Sequence, residues 1–92
     1  MSNSGKRHMQ RVADYAMDNG CAVCGEPFAH IHHMLEDRTP GRRADDWLTM
    51  GLCYECHEGT HGIHGDRQRW KLRDMSESKA LAKTLEGVYG RS

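Results

Sequence analysis

The sequence is poor in nearly everything that builds a large apolar interior. It contains one Phe, aromatic residues make up 7%, and mean hydropathy is −0.83 over 92 residues. A domain of this size buries too small a share of its surface to rest on its core alone, so a further staple is expected. No stretch approaches the roughly 18 consecutive apolar residues of a membrane span, and no membrane partner is expected. The opening residues, MSNSGKRHMQ, lack the apolar segment of a secretory signal. The expectation is therefore an intracellular, cytoplasmic protein whose thiols stay reduced. An excess of one charge is also lacking: Lys plus Arg number 13 and Asp plus Glu number 13. That balance counts against a protein that holds nucleic acid by charge alone, although a bound cation would bring charge of its own. There is no GxxxxGK[ST] phosphate loop. The H-x-E and P-C-x-x-C pair of zinc nucleotide deaminases is missing too.

Cysteine and histidine are what the chain has in excess, at four and seven residues. Cys21-x2-Cys24 and Cys53-x2-Cys56 form two matched pairs with residues 25–52 between them. A short CxxC turn aims both sulfurs at one point, and two such pairs supply the four-thiolate tetrahedron that suits structural Zn2+. The separation exceeds the roughly 15–20 residues of common zinc modules, so an inserted hairpin or loop must bridge the pairs. A shell of four thiolates leaves no open position, so any catalysis must sit elsewhere.

Periodicity places the elements around these pairs as a small α+β domain spanning 1–92. Met9, Val12, Ala13, Ala16 and Met17 trace a helical stripe in a helix over 5–19 that Gly20 ends, with Lys6, Arg7 and Arg11 off the stripe. Residues 28–35 (FAHIHHML) and 47–52 (WLTMGL) read as short strands, separated by a loop containing Pro40-Gly41. A helix is expected to begin at His57. The zinc-stapled core covers 21–66 and a C-terminal helical segment covers 67–90, where Ser76 caps a helix with Leu81, Leu85 and Val88 on one face. Met34, Met50 and Met75 read as core filler, and Trp47 and Trp70 as core residues before base-stacking platforms.

Six of the seven histidines, at 30, 32, 33, 57, 61 and 64, interleave with the cysteine pairs. In a strand, neighbouring side chains point to opposite faces, so one residue of His32-His33 can ligate a metal while the other reaches a water. His8 lies apart and reads as a surface or satisfied core residue, and His30 reads the same way. CHxxxH spacing offers His61 beside His57 on a continuous helix, but Gly59 and Gly62 weaken such a helix and leave His64 as the other choice.

The runs CAVCGEP, HIHHM, GRRADDWLTMGLCYECH and GIHGDR, within residues 21–73, resemble the zinc-bearing HNH endonucleases. The nearest resemblance is to small phage-type proteins related to the recombination-enhancement nucleases. It implies a treble-clef, ββα-metal fold with flanking helices outside the shared part. It also implies hydrolysis of nucleic acid phosphodiesters, DNA before RNA, with a recombination or phage-replication protein as a further partner. His33 would be the general base and His32 and His57 ligands of a catalytic divalent cation (Mg2+, Mn2+, Ni2+ or Zn2+). The GIHGDR run favours His64 over His61 as third ligand. The family's Asn, which orients the base, is replaced here by Asp46, or by Asp45 if the register slips. Arg42, Arg43, Arg67 and Arg69, with Lys71 and Arg73, would form a basic rim on phosphates. The alternative is a non-catalytic zinc module that binds nucleic acid or protein.

Overall fold

The computed structural model describes residues 4–35 and 45–90; Arg42 and Arg43 lie outside them. Helix α1 (Ser4–Asn19) is followed by strands β1 (His30–His33) and β2 (Thr49–Leu52). Three helices then follow: α2 (Tyr54–His57), α3 (Gln68–Leu72) and α4 (Glu77–Tyr89). No helix is long and apolar enough to cross a membrane among the described residues.

Helix α1 ends where its sequence says it should. Gly20 adopts φ +81°, and its N–H closes the last turn on the Ala16 carbonyl at 2.7 Å. Glycine is the residue that takes this left-handed conformation freely. The buried face differs from the expected stripe: His8, Val12 and Ala16 are buried, whereas Met17 is 84% exposed. Two contacts turn the helix toward His8. Gly51 of β2 lies so close that a Cβ there would stand 2.6 Å from the Ala16 Cβ. The His8 ring stacks on Trp47 at 4.2 Å and bonds the Tyr89 hydroxyl through Nδ1 at 2.6 Å. The stack and this one hydrogen bond hold the ring inside, although His8 Nε2 is buried with no hydrogen-bond partner among the described residues.

The strands pair antiparallel, with His30 opposite Leu52, Ile31 opposite Gly51, His32 opposite Met50 and His33 opposite Thr49. Both are shorter than the apolar runs suggested. Phe28, at φ +64°, breaks the extended path before β1. At the other end the Thr49 hydroxyl donates to the Asp46 carbonyl at 2.9 Å and turns the chain into β2. The Cys21–Cys24 turn is tied to the hairpin by Ala22 N–H on the Gly51 carbonyl at 2.9 Å.

Helix α2 ends at His57 rather than beginning there, and a series of turns carries the chain to Arg67. Gly62 lets this segment fold back on α2, since a Cβ there would meet the Cys56 carbonyl oxygen at 2.8 Å. Ile63 N–H and His64 N–H then bond the carbonyls of Cys56 and His57 at 2.8 and 3.1 Å. The C-terminal segment holds two helices, with Asp74 at φ +50° between them. Ser76 caps α4 as its position suggests, its Oγ accepting from Lys79 N–H at 3.1 Å.

The buried face of α4 is Glu77, Ala80 and Thr84, while Leu81, Leu85 and Val88 are only half-buried. Close approach decides this: Gly87 sits against the Tyr15 ring, and Glu77 reaches under β1. The core is small. Met34, Met50, Leu52, Ile63 and Trp70 pack with the cysteines, and the Trp70 Nε1–H donates to the Cys56 carbonyl at 2.9 Å. Trp47, by contrast, is 39% exposed.

Candidate metal centres and the histidine strand

The two CxxC turns bring Cys21, Cys24, Cys53 and Cys56 together, with all four sulfurs within 4.8 Å of one another. Cys24 Sγ lies 3.6 Å from Cys53 Sγ and 3.7 Å from Cys56 Sγ. These separations are far too long for a disulfide, whose sulfurs are about 2.05 Å apart. They match the edge of a tetrahedron of sulfurs each about 2.3 Å from a zinc ion, which is about 3.8 Å. The donor set therefore fits structural zinc.

Charge around the sulfurs is organised for thiolates. Arg69 directs Nε–H to Cys56 Sγ at 3.3 Å and an Nη2–H to Cys24 Sγ at 3.4 Å, and these bonds hold the guanidinium firmly protonated. Burial opposes ionisation of Cys24. The Glu26 backbone N–H, Arg69 and the neighbouring thiols outweigh it and bring the group down to about 7. Burial pushes Cys53 and Cys56 up. A buried thiol in that position ionises when a cation shares the site.

A second cluster is built of imidazoles. His32 from β1, His57 from the end of α2 and His64 from the returning loop each place a ring nitrogen within 4.8 Å of the others. Ring centroids lie 4.9 Å apart for His32 and His57, 4.9 Å for His57 and His64, and 5.6 Å for His32 and His64. His57 Nδ1 is buried with no hydrogen-bond partner among the described residues. Burial, then the neighbouring His32 and His64, lower the His57 pKa to about 4, with Glu58 opposing them. Its imidazole is thus neutral near pH 7, the form a metal ligand requires. Three imidazoles whose ring nitrogens converge, one of them with a buried nitrogen that makes no hydrogen bond, fit a divalent cation. His32 is buried, His57 half-buried and His64 exposed, which leaves the cluster closed on one side and open on the other.

Glu77, in the first turn of α4, stands behind this cluster, a residue that sequence reasoning missed. Its side chain is 1% exposed and its Oε2 lies 2.7 Å from His32 Nε2. The same carboxylate accepts the Leu35 N–H on both oxygens, at 3.0 and 2.9 Å. A buried carboxylate behind a histidine fixes which ring nitrogen carries the proton. The available signal was the spacing of Glu77, Ala80 and Thr84, which places a charged residue on the face that packs.

His33 follows His32 on β1 and points to the other side. Its Nε2 is 3.1 Å from Asp46 Oδ1, with the two side chains 16% and 27% exposed. Asp45 is turned away and accepts the Trp47 N–H at 2.9 Å. His33 opens into a groove of about 460 Å³ that Lys6, Met9 and Gln10 of α1 and Ile31 of β1 also line.

The remaining expected residues lie elsewhere. His61 is half-exposed and bonds Asp66 through Nδ1 at 3.0 Å, away from the triad. Asp66 is held below its ordinary pKa by the Gln68 N–H and then by His61. His30 is exposed, with its ring 5.2 Å from that of His57. Of the expected basic rim, Arg69 faces the sulfurs, and Arg67 donates Nε–H to the Ile63 carbonyl at 3.2 Å while remaining exposed. Lys71 and Arg73 are exposed. Comparison with known proteins returns no match: no family model, no curated protein and no solved structure matches the chain.

Proposed function

We propose that this chain is a metal-dependent nuclease of the HNH, ββα-metal kind, cutting phosphodiesters of nucleic acid, DNA in the first instance. One observation carries the reading. The histidine cluster His32–His57–His64 is separate from the thiolate quartet, and the next residue on the same strand, His33, is paired with a carboxylate. A zinc-stapled binding module needs the quartet and nothing more.

In this reading the quartet holds one structural zinc in a treble-clef-like knuckle, and the reduced thiols fit an intracellular setting. The three histidines hold a divalent cation that, when bound, stabilises charge on the scissile phosphate and the leaving oxygen. Glu77 accepts a hydrogen bond from His32 Nε2–H, which leaves Nδ1 of His32 as the nitrogen for the cation. Asp46 does the same for His33: with Nε2–H on the carboxylate, Nδ1 is free to accept the proton of an attacking water. The Asp46 charge then stabilises the imidazolium that forms. The groove at His33 gives the polynucleotide a path along α1, where Lys6 meets a flanking phosphate.

Nicking of supercoiled plasmid by zinc-loaded protein, with Mg2+, Mn2+, Ni2+ or added Zn2+, tests this. Nicking is expected with at least one of these cations and lost in His33→Ala, whose zinc content and circular dichroism match the parent. A protein that retains zinc, binds DNA and cuts with none of the four is a non-catalytic zinc module instead.

A further inference from the structure

On the far side of the zinc knuckle lies a cavity of about 390 Å³ that the nuclease reading leaves unused. Two aromatic residues, Phe28 and Tyr54, form its apolar part, and they are 92% and 57% exposed. Glu26 and Glu55 stand in the same wall, as do Cys53 and Arg69. Three features of this wall belong together.

First, Phe28 is held out into solvent at φ +64°. That backbone is unfavourable for an aromatic residue and easy for glycine, and an exposed ring gives folding nothing in return. Second, neither Glu26 nor Glu55 has a hydrogen bond or ion pair through its carboxylate among the described residues. Third, the wall beside the knuckle carries net negative charge. A zinc ion on four thiolates would leave two negative charges, which Arg69 on Cys56 and Cys24 and Lys83 on the Ala22 carbonyl offset, and the two glutamates add two more. The chain as a whole is neutral, so this pole is a local concentration of charge. It repels phosphate and attracts cations.

We propose that this cavity is a docking pocket for an arginine side chain of a partner protein. A guanidinium is planar and weakly hydrated, so it stacks on an aromatic face while its edge donates two bonds to a carboxylate. Phe28 and Tyr54 supply faces, and Glu26 and Glu55 supply acceptors. Nucleic acid is disfavoured here by the same carboxylates. The pocket stands apart from His33 and the histidine triad, so it operates whether or not the chain cuts DNA.

The test is an NMR titration of the full, zinc-loaded, 15N-labelled protein with the peptide acetyl-Gly-Arg-Gly-amide. Saturable shifts are expected in the amides of Glu26, Phe28, Tyr54 and Glu55, and they weaken as salt is raised. Phe28→Gly removes the ring at a backbone angle glycine adopts freely, so the fold and zinc content persist. It weakens binding about 2–5-fold, the value of an exposed cation–π contact. Glu55→Gln weakens it by a similar factor, about 2–5-fold. The proposal is overturned if the peptide moves none of these amides. It is equally overturned if the citrulline or lysine peptide binds as well as the arginine one, or if a thymidine oligonucleotide shifts the same set.

Discussion

Glu77→Gln isolates what the carboxylate behind the histidine cluster contributes. In the parent, Glu77 is 2% exposed, and it holds His32 Nε2 at 2.7 Å and the Leu35 N–H at 3.0 and 2.9 Å. An ionised carboxylate can only accept, so it sets the tautomer of His32. Gln keeps the shape and can still accept the Leu35 N–H through its carbonyl oxygen. Its NH2 then faces His32 and favours the opposite tautomer, with the proton on Nδ1. Loss of such a partner lowers metal affinity about 10–100-fold, which is about 1.4–2.7 kcal/mol. A bond to a charged group is worth about 1.5–3 kcal/mol, and Gln retains the neutral part of it, so folding loses about 1–2 kcal/mol. For a domain of this size that is a drop in Tm of roughly 4–16 °C. Glu77→Ala is the harsher change. It leaves the His32 and Leu35 N–H groups without an acceptor, costs about 2–6 kcal/mol at about 1–3 for each, and approaches the whole stability of a small domain, about 5–15 kcal/mol. Calorimetric titration of Ni2+ into protein already carrying one zinc reads the affinity, and melting by circular dichroism on the same sample reads the fold. A Gln variant that melts as expected and binds Ni2+ as tightly as the parent would refute the role given to Glu77.

The other expectations concern different parts of the molecule. Cys56→Ser removes a sulfur from the quartet; elemental analysis should then find zinc lost, together with the cooperative melt, because structural zinc supplies about 10–16 kcal/mol of apparent binding energy. His64→Ala should weaken the second metal site and reduce nicking strongly, with partial rescue by excess cation. His61→Ala should be mild, because His61 bonds exposed Asp66 and stands away from the cluster; the reverse order of effects in the nicking assay would return the third ligand to His61. His8 contributes to the pH dependence. Burial, then the nearby Arg11 charge, lower its pKa below the ordinary 6.5. On acidification the unfolded chain takes up this proton before the folded one, so stability is full above about 6.5 and falls as pH drops toward the lowered native value. His8→Phe keeps a ring against Trp47 without the titration, and its Tm should fall less than the parent's between pH 7 and 5; equal slopes would mean that His8 is not the group responsible.

What could be read along the chain is what depends on near neighbours. A CxxC turn is a property of four consecutive residues, and Cys21, Cys24, Cys53 and Cys56 meet as that spacing implies. Gly20 stopping α1 and Ser76 capping α4 follow from backbone geometry within one turn. The alternation in a strand placed His32 and His33 on opposite sides, one on Glu77 and the other on Asp46. Gly59 and Gly62 marked the place where a continuous helix fails, and α2 ends at His57 before reaching them.

The rest was decided by packing between segments far apart in sequence. Glu77 reaches His32 across 45 positions, and Tyr89 reaches His8 across 81. Periodicity does not register such pairs, because it reports which residues share a face and not what that face will meet. For that reason the buried face is turned from the apolar stripe on both helices, toward His8 on α1, where Val12 and Ala16 stay buried, and toward Glu77, Ala80 and Thr84 on α4. The close approaches of Gly51 to Ala16 and of Gly87 to Tyr15 set how far each helix turns, and those distances belong to the assembled fold. The choice of Asp46 over Asp45 beside His33, and the turning of Arg69 onto sulfur, have the same origin. Residue type and spacing limited which groups could act; only the tertiary structure brought a carboxylate behind one histidine and left another facing solvent.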